Sequence, residues 1–117
     1  MGLILWIDGN TFATTLLEKI FKNQGLSFYT LQNVDDFLYL VEDLKPVVIV
    51  LDYPTFLKNK SRFFEQLNSS ELLKTLPFIL IDGIEGESEL QNVIGKIKRP
   101  FDPFEIPNEI KKIISHQ

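Results

Sequence analysis

The sequence contains no cysteine, a single histidine and no apolar run that approaches the length of a membrane span. Without cysteine there can be no disulfide, thiol nucleophile or zinc–thiolate site, and this composition is typical of a cytoplasmic protein. A spanning helix needs about 20 consecutive apolar residues, so we expect no membrane association. The first residues run into an apolar segment without a basic leader, so we also expect no signal peptide.

Basic residues are fewer than acidic ones. The chain has 12 Lys and Arg against 16 Asp and Glu, which gives a net charge of −4 and a pI near 4.9. The basic residues are scattered, and this disfavours a nucleic-acid partner because phosphate contacts need a basic surface. The length of 117 residues and the 44% hydrophobic content are those of an ordinary globular domain. We therefore expect one domain over residues 1–117.

The chain does contain four short apolar runs that each stop at a charged residue. They are Ile4–Ile7 before Asp8, Val47–Leu51 before Asp52, Phe78–Ile81 before Asp82, and the segment around Ile97 before Arg99-Pro100. Such runs, separated by helical patterns, predict the buried strands of a parallel α/β sheet. Ligands and chemistry lie at the carboxyl ends of such strands, so three carboxylates and one guanidinium should converge there.

The pattern predicts five strands that alternate with helices. The strands are Leu3–Ile7, Leu26–Leu31, Val47–Asp52, Phe78–Ile81 and Lys96–Arg99. The helices run from Asn10 or Thr11 to Gly25, from a cap at Asn33 to Lys45-Pro46, around Phe63 and Phe64 after a loop at Tyr53-Pro54, over Glu87–Ile94 at most, and from Asp102 or Pro107 onward. We expect the segment from Gly83 to Gly95, thin in apolar residues, to be mobile. Right-handed crossovers then predict a flavodoxin-like (βα)5 fold, a doubly wound parallel five-stranded sheet in a three-layer sandwich.

Three motifs fall where those of one signalling family fall. Ile7-Asp8 ends the first strand, Lys-Pro-Val-Val-Ile-Val-Leu-Asp52 contains the third, and Arg99-Pro100-Phe101-Asp102-Pro103 begins at the end of the fifth. In these motifs, and over nearly its whole length, the chain resembles the CheY-like receiver domain of two-component response regulators. The resemblance implies that Asp52 is the phospho-acceptor, that Asp8 and Asp52 contribute to a Mg²⁺ site, and that a histidine kinase is a partner. It also implies a cis Arg99–Pro100 bond.

The chain departs from that family pattern at most of the functional positions. Gly9 replaces the second metal-binding acid, which should weaken Mg²⁺ because this cation prefers carboxylate oxygens. Asp82 stands where the family has a Thr or Ser, Arg99 replaces the Lys, and Lys96 replaces the switch aromatic. A phosphoryl group on Asp52 beside Asp82 would be opposed by roughly 4 kcal/mol per like-charge contact, at about 4 Å and an effective dielectric near 20.

These departures lead to a hypothesis about Arg99. Its planar fork suits pairing with carboxylates, so we expect a salt bridge to Asp52, to Asp82 or to both. The internal pair would replace the phosphoryl and metal charge, and the chain would be a pseudo-receiver that acts by protein–protein interaction and is not an enzyme. The alternative within the family is a working Mg²⁺-dependent receiver that is phosphorylated on Asp52.

Other readings of the same residues stay open. Ile7-Asp8-Gly9-Asn10-Thr11 also resembles the opening of some metal-dependent nucleases and phosphatases, so Asp8, Asp52 and Asp82 could hold the metal of a hydrolase. Asp8 and Asp52 could instead only cap the helices that follow them, and Asp82-Gly83 could be a simple turn.

The family resemblance also indicates a surface for partners. In receivers, the fourth helix, fifth strand and fifth helix form a face for dimer and effector contacts. Here this face would carry Lys96 and Lys98, and it is the expected site for a homodimer or for another signalling protein.

Overall fold

The computed structural model describes residues 2–83 and 90–117, which form one five-stranded parallel sheet. The strands are β1 (Ile4–Ile7), β2 (Phe28–Leu31), β3 (Val48–Asp52), β4 (Phe78–Ile81) and β5 (Val93–Ile97), in the order β2-β1-β3-β4-β5. The helices are α1 (Thr11–Asn23), α2 (Phe37–Leu44), α3 (Tyr53–Lys58), α4 (Lys60–Asn68), α5 (Glu71–Thr75) and α6 (Ile106–Ser115). The predicted flavodoxin-like fold class is confirmed.

Two hydrophobic layers flank the sheet because successive side chains of a strand point to opposite faces. In β1, Ile4 and Trp6 pack with α1 and α6, whereas Leu5 and Ile7 pack with α2 to α5. All four side chains are fully buried. The central strands β1, β3 and β4 are buried at every position, and burial on both faces explains why they are continuous apolar runs up to their charged ends.

The connection between β3 and β4 differs from the prediction. Tyr53-Pro54 does not form a loop, because α3 begins at Tyr53 directly after β3. The Asp52 side chain accepts a hydrogen bond from the Thr55 amide and so caps this helix, while Pro54 lies in the first turn, where proline is tolerated. Three short helices, α3 to α5, occupy the segment in which the sequence predicts a helix around Phe63 and Phe64.

The second helix begins later than predicted. The side chain of Asn33 accepts from the amide of Asp35 and forms a local turn, so α2 starts only at Phe37. Its end at Leu44 agrees with the Lys45-Pro46 signal. At the last helix, the side chain of Asp102 accepts from the amide of Phe104 and does not cap α6, which starts at Ile106.

The fifth strand is shifted toward the N-terminus relative to the prediction. It spans Val93–Ile97, with a bulge opposite Phe78 and Ile79, and the predicted strand Lys96–Arg99 is wrong in its second half. The strand ends early because the amide of Arg99 donates to the Asp82 side chain, not to a neighbouring strand. The predicted helix Glu87–Ile94 is contradicted at Val93 and Ile94, which belong to β5.

Residues 84–89, which include part of that predicted helix and of the segment expected to be mobile, lie outside the described residues. Within the described part of the chain, no helix separates β4 from β5. The alternation of strands and helices is therefore not fivefold there. No helix of the described part is both long and apolar enough to cross a membrane.

Candidate functional site

The carboxyl ends of β1, β3, β4 and β5 meet at one edge of the sheet. Ile7 is in register with Leu51, Asp52 with Ile81, and Ile81 with Ile97. This register brings together the charged residues that follow or end these strands, as their positions in the sequence predict. The residues that meet are Asp8, Asp52, Asp82 and Arg99.

The guanidinium of Arg99 lies among the three carboxylates. Its Nη1 donates to Asp52 Oδ1 at 2.7 Å and to Asp82 Oδ2 at 3.1 Å, and its Nη2 donates to Asp8 Oδ2 at 2.8 Å. The hypothesis named Asp52, Asp82 or both as partners, and the structure contains both of these pairs and a third to Asp8. The Arg99–Pro100 peptide bond is cis.

A second set of bonds holds Asp52 from its other side. Asp52 Oδ2 accepts from the amide of Thr55 at 3.1 Å and from its hydroxyl at 2.7 Å. The Thr55 hydroxyl accepts in turn from the amide of Gly9 at 3.0 Å. Asp52 therefore caps α3 and pairs with Arg99 at the same time, so the capping role and the charged contact coexist.

Asp8 is buried and is held on both of its oxygens. The residue is 2% exposed. Its Oδ1 accepts from the amide of Asn10 at 3.0 Å, and its Oδ2 is also 3.4 Å from the indole nitrogen of Trp6. Burial raises the pKa of Asp8, the charge of Asp52 acts in the same direction, and the hydrogen bond from Asn10 opposes this rise. The cap of α1 is Asn10, whose side chain accepts from the amide of Ala13.

The backbone conformation of Asp82 places its side chain in contact with Arg99. Its backbone has a φ of 58°, a left-handed conformation that Asp adopts more readily than most residues. Its Oδ1 accepts from the backbone amide of Arg99 at 2.8 Å. This hydrogen bond is the main reason why the pKa of Asp82 is lowered, and the guanidinium of Arg99 lowers it further.

Arg99 remains charged in this setting. Its burial would lower its pKa, but hydrogen bonds to Asp52 and Asp82 outweigh this and the pKa is raised. One positive charge then faces three carboxylates, so the cluster is formally negative. The guanidinium carbon also lies 5.9 Å from the ring centroid of Phe101.

The residues present do not fit a resident Mg²⁺ ion. The guanidinium of Arg99 donates to all three carboxylates and so takes the place of a cation that they could share, and Gly9 offers no side-chain ligand. Among the described residues, no group of three or more acidic, His or Cys side chains is arranged to hold a metal. The convergence that suggested a hydrolase metal centre is therefore a cluster organised around Arg99.

A groove at Lys96 and a cleft at Thr55 lie on the surface near the Arg99 cluster. Lys96 is exposed and lines a groove with Asp82 and Lys98, outside the Arg99 cluster. Thr55 was not singled out from the sequence, although the possible capping role of Asp52 implies an amide partner two or three residues later. Asp52, Thr55 and Lys58 line an open cleft of about 380 Å³ beside the cluster.

The sequence matches no protein-family model and no curated protein. Its structure is similar to a response regulator receiver modulated diguanylate cyclase from Pelobacter carbinolicus (20% identity, TM-score 0.70, 99% of this chain and 94% of that chain). It is also similar to chemotaxis response regulator CheY4 of Vibrio cholerae (15%, 0.73, 97% and 98%). A third similar structure is the pseudo-receiver domain of CikA (15%, 0.69, 97% and 98%). The chain therefore has the CheY-like receiver fold.

Proposed function

We propose that this chain is a receiver-like signalling domain whose phospho-acceptor site is closed, and that it acts through protein–protein contacts and not as an enzyme. The observation that carries the proposal is the position of the Arg99 guanidinium, which donates to Asp8, Asp52 and Asp82 at 2.7–3.1 Å. A phosphoryl group on Asp52 would have to displace it. The proposed partners are a histidine kinase or another signalling protein, and the proposed location is the cytoplasm.

Two residues that depart from the family pattern, Gly9 and Asp82, also oppose phosphorylation of Asp52. Gly9 removes an oxygen ligand that Mg²⁺ would need, and Asp82 places a negative charge where a phosphoryl group would bring more. The pairing with Arg99 also offsets part of the cost of burying the carboxyl groups of Asp8 and Asp52. The closed site is thus unreceptive to a phosphoryl group, and Arg99 compensates part of the negative charge of its carboxylates.

The experiment that tests the proposal is an amide NMR titration with Mg²⁺, followed by Mg²⁺ and beryllofluoride as a phosphoryl mimic. We expect no saturable shifts at Asp52 and its neighbours at millimolar metal. A matched positive control is the variant with Gly9→Asp, Asp82→Thr and Arg99→Lys, here called the opened variant. An added Cβ at Gly9 would lie 3.5 Å from Thr55 Oγ1, an ordinary contact, so the backbone at this position has room for a side-chain Cβ.

The alternative is a working receiver that is phosphorylated on Asp52, which does line the open cleft beside the cluster. Saturable shifts in the native protein that vanish in Asp52→Asn would establish this alternative and reject the closed site. A hydrolase is the more remote alternative. Mn²⁺-dependent cleavage of single-stranded RNA that is abolished by Asp8→Ala would favour it.

A further inference from the structure

We propose that Thr55 is a positioning residue that keeps Asp52 unreactive toward phosphoryl donors, independently of Arg99. The inference deepens the proposed function and rests on it. The two oxygens of the Asp52 carboxylate are held by different parts of the fold. Arg99, which follows β5, donates to Oδ1, whereas Thr55 in α3 donates to Oδ2. Removing Arg99 alone would therefore free only one oxygen.

The direction of the Thr55 hydroxyl is fixed by a neighbour. Thr55 Oγ1 accepts from the amide of Gly9 at 3.0 Å and lies 2.7 Å from Asp52 Oδ2. A carboxylate can only accept, so the hydroxyl proton points at Asp52 and the three groups form a relay from Gly9 N–H through Oγ1–H to Oδ2. Thr55 is 7% exposed, so water has little access to compete for this hydroxyl.

The relay also restricts the side chain itself. A β-branched residue in a helix has few χ1 rotamers, and the backbone amide of Thr55 bonds the same Oδ2 at 3.1 Å. Asp52 Oδ2 thus accepts two hydrogen bonds from one residue. Because the negative charge of a carboxylate is shared by both of its oxygens, these hydrogen bonds to Oδ2 also lower the nucleophilicity of Oδ1, and they keep the carboxylate from turning.

The chemical step at issue is transfer from an acyl phosphate. One oxygen of Asp52 would form the bond to phosphorus, the bond between phosphorus and the acyl oxygen would break, and acetate would leave with that electron pair when acetyl phosphate is the donor. Hydrogen bonds to either oxygen stabilise the carboxylate before the reaction, and they are weakened as the carboxylate loses its negative charge on forming the bond to phosphorus. They therefore slow the attack.

The test compares Thr55→Val and Thr55→Ser in the opened variant. Valine keeps the branched shape and the backbone cap but removes the hydroxyl, whereas serine keeps the hydroxyl. With acetyl phosphate and Mg²⁺, measured by intact-protein mass spectrometry, Thr55→Val should be phosphorylated on the order of tenfold faster than its Thr55 parent, the factor that one hydrogen bond to a charged group corresponds to. Thr55→Ser should stay close to the parent.

A spectroscopic measurement in the native background separates positioning from a merely structural role. Thr55→Val should shift the ¹³Cγ resonance of Asp52 and the amide proton of Gly9, and Thr55→Ser should restore both toward their native values. Unchanged resonances in Thr55→Val would mean that the relay does not exist and would overturn the proposal. The proposal would also be overturned if Thr55→Val does not raise the phosphorylation rate of the opened variant, whatever the rate of the parent. If the site of the native protein is not closed, the native protein would bind beryllofluoride. That result is distinct from the two above, so failure of the proposed function can be told apart from failure of this inference.

Discussion

Replacing Arg99 with methionine removes the guanidinium that donates to Asp8, Asp52 and Asp82. Methionine retains much of the aliphatic stem, so the change is mainly electrostatic. Asp8 and Asp52 are 2% and 5% exposed and would face each other without this cation. Breaking a buried ion pair by removing one partner costs about 3–5 kcal/mol. A third of the Arg99 side chain is exposed, so we expect a loss near the lower end, about 3 kcal/mol.

The loss can be measured by urea unfolding followed through Trp6. This is the single tryptophan of the chain, it is fully buried, and it lies next to Asp8. A matched control is Arg62→Met, which breaks the Arg62–Asp35 pair, whose side chains are 55% and 58% exposed. An exposed pair contributes at most about 1 kcal/mol. If Arg99→Met lowers the free energy of unfolding no more than Arg62→Met does, the ion pairs of Arg99 contribute no more to stability than an exposed pair, and the reasoning is refuted.

Two further predictions concern Asp82 and the β5 edge. The pKa of Asp82 is lowered in the folded protein, so its charge stabilises the fold at pH values above its ordinary pKa of 3.8. This contribution is lost as the pH falls through the lower folded-state pKa. The native protein should therefore be more stable than Asp82→Asn near pH 6, and the difference should shrink toward about pH 3 in urea unfolding; a difference that grows on acidification would contradict the assignment. Lys96→Glu with Lys98→Glu should weaken a homodimer that forms through the proposed partner face, seen by sedimentation equilibrium. Lys19→Glu with Lys22→Glu on α1 serves as the control, and equal effects of the two pairs would count against this face.

The apolar runs predicted the three central strands well because β1, β3 and β4 are buried on both faces. The run ending at Asp52 is continuous and β-branched, and it forms β3 with only its first residue, Val47, left out. The boundaries that were wrong depend on side chains that compete with the backbone ladder or helix. Asn33 forms a local turn in place of a cap, and Asp82 takes the Arg99 amide and so ends β5. Bonds of this kind leave no periodic signal in a sequence.

The site was predicted in part for the same reason. The register of parallel strands follows from the apolar runs, so the meeting of Asp8, Asp52 and Asp82 with Arg99 could be expected. The number of partners of Arg99 could not, because it depends on how deep the guanidinium lies between the strand ends. Thr55 was missed because Tyr53-Pro54 was assigned to a loop, whereas the helix that aims the Thr55 hydroxyl at Asp52 starts at Tyr53, directly after the strand.

The bond between Arg99 and Asp8 joins residues that are 91 positions apart in the chain. Contacts of such long separation require a large loop closure and tend to form late in folding. The ion cluster should therefore be absent from most of the folding transition state and should slow unfolding more than it speeds folding. Arg99 would therefore also lengthen the time for which the native state persists once it has formed.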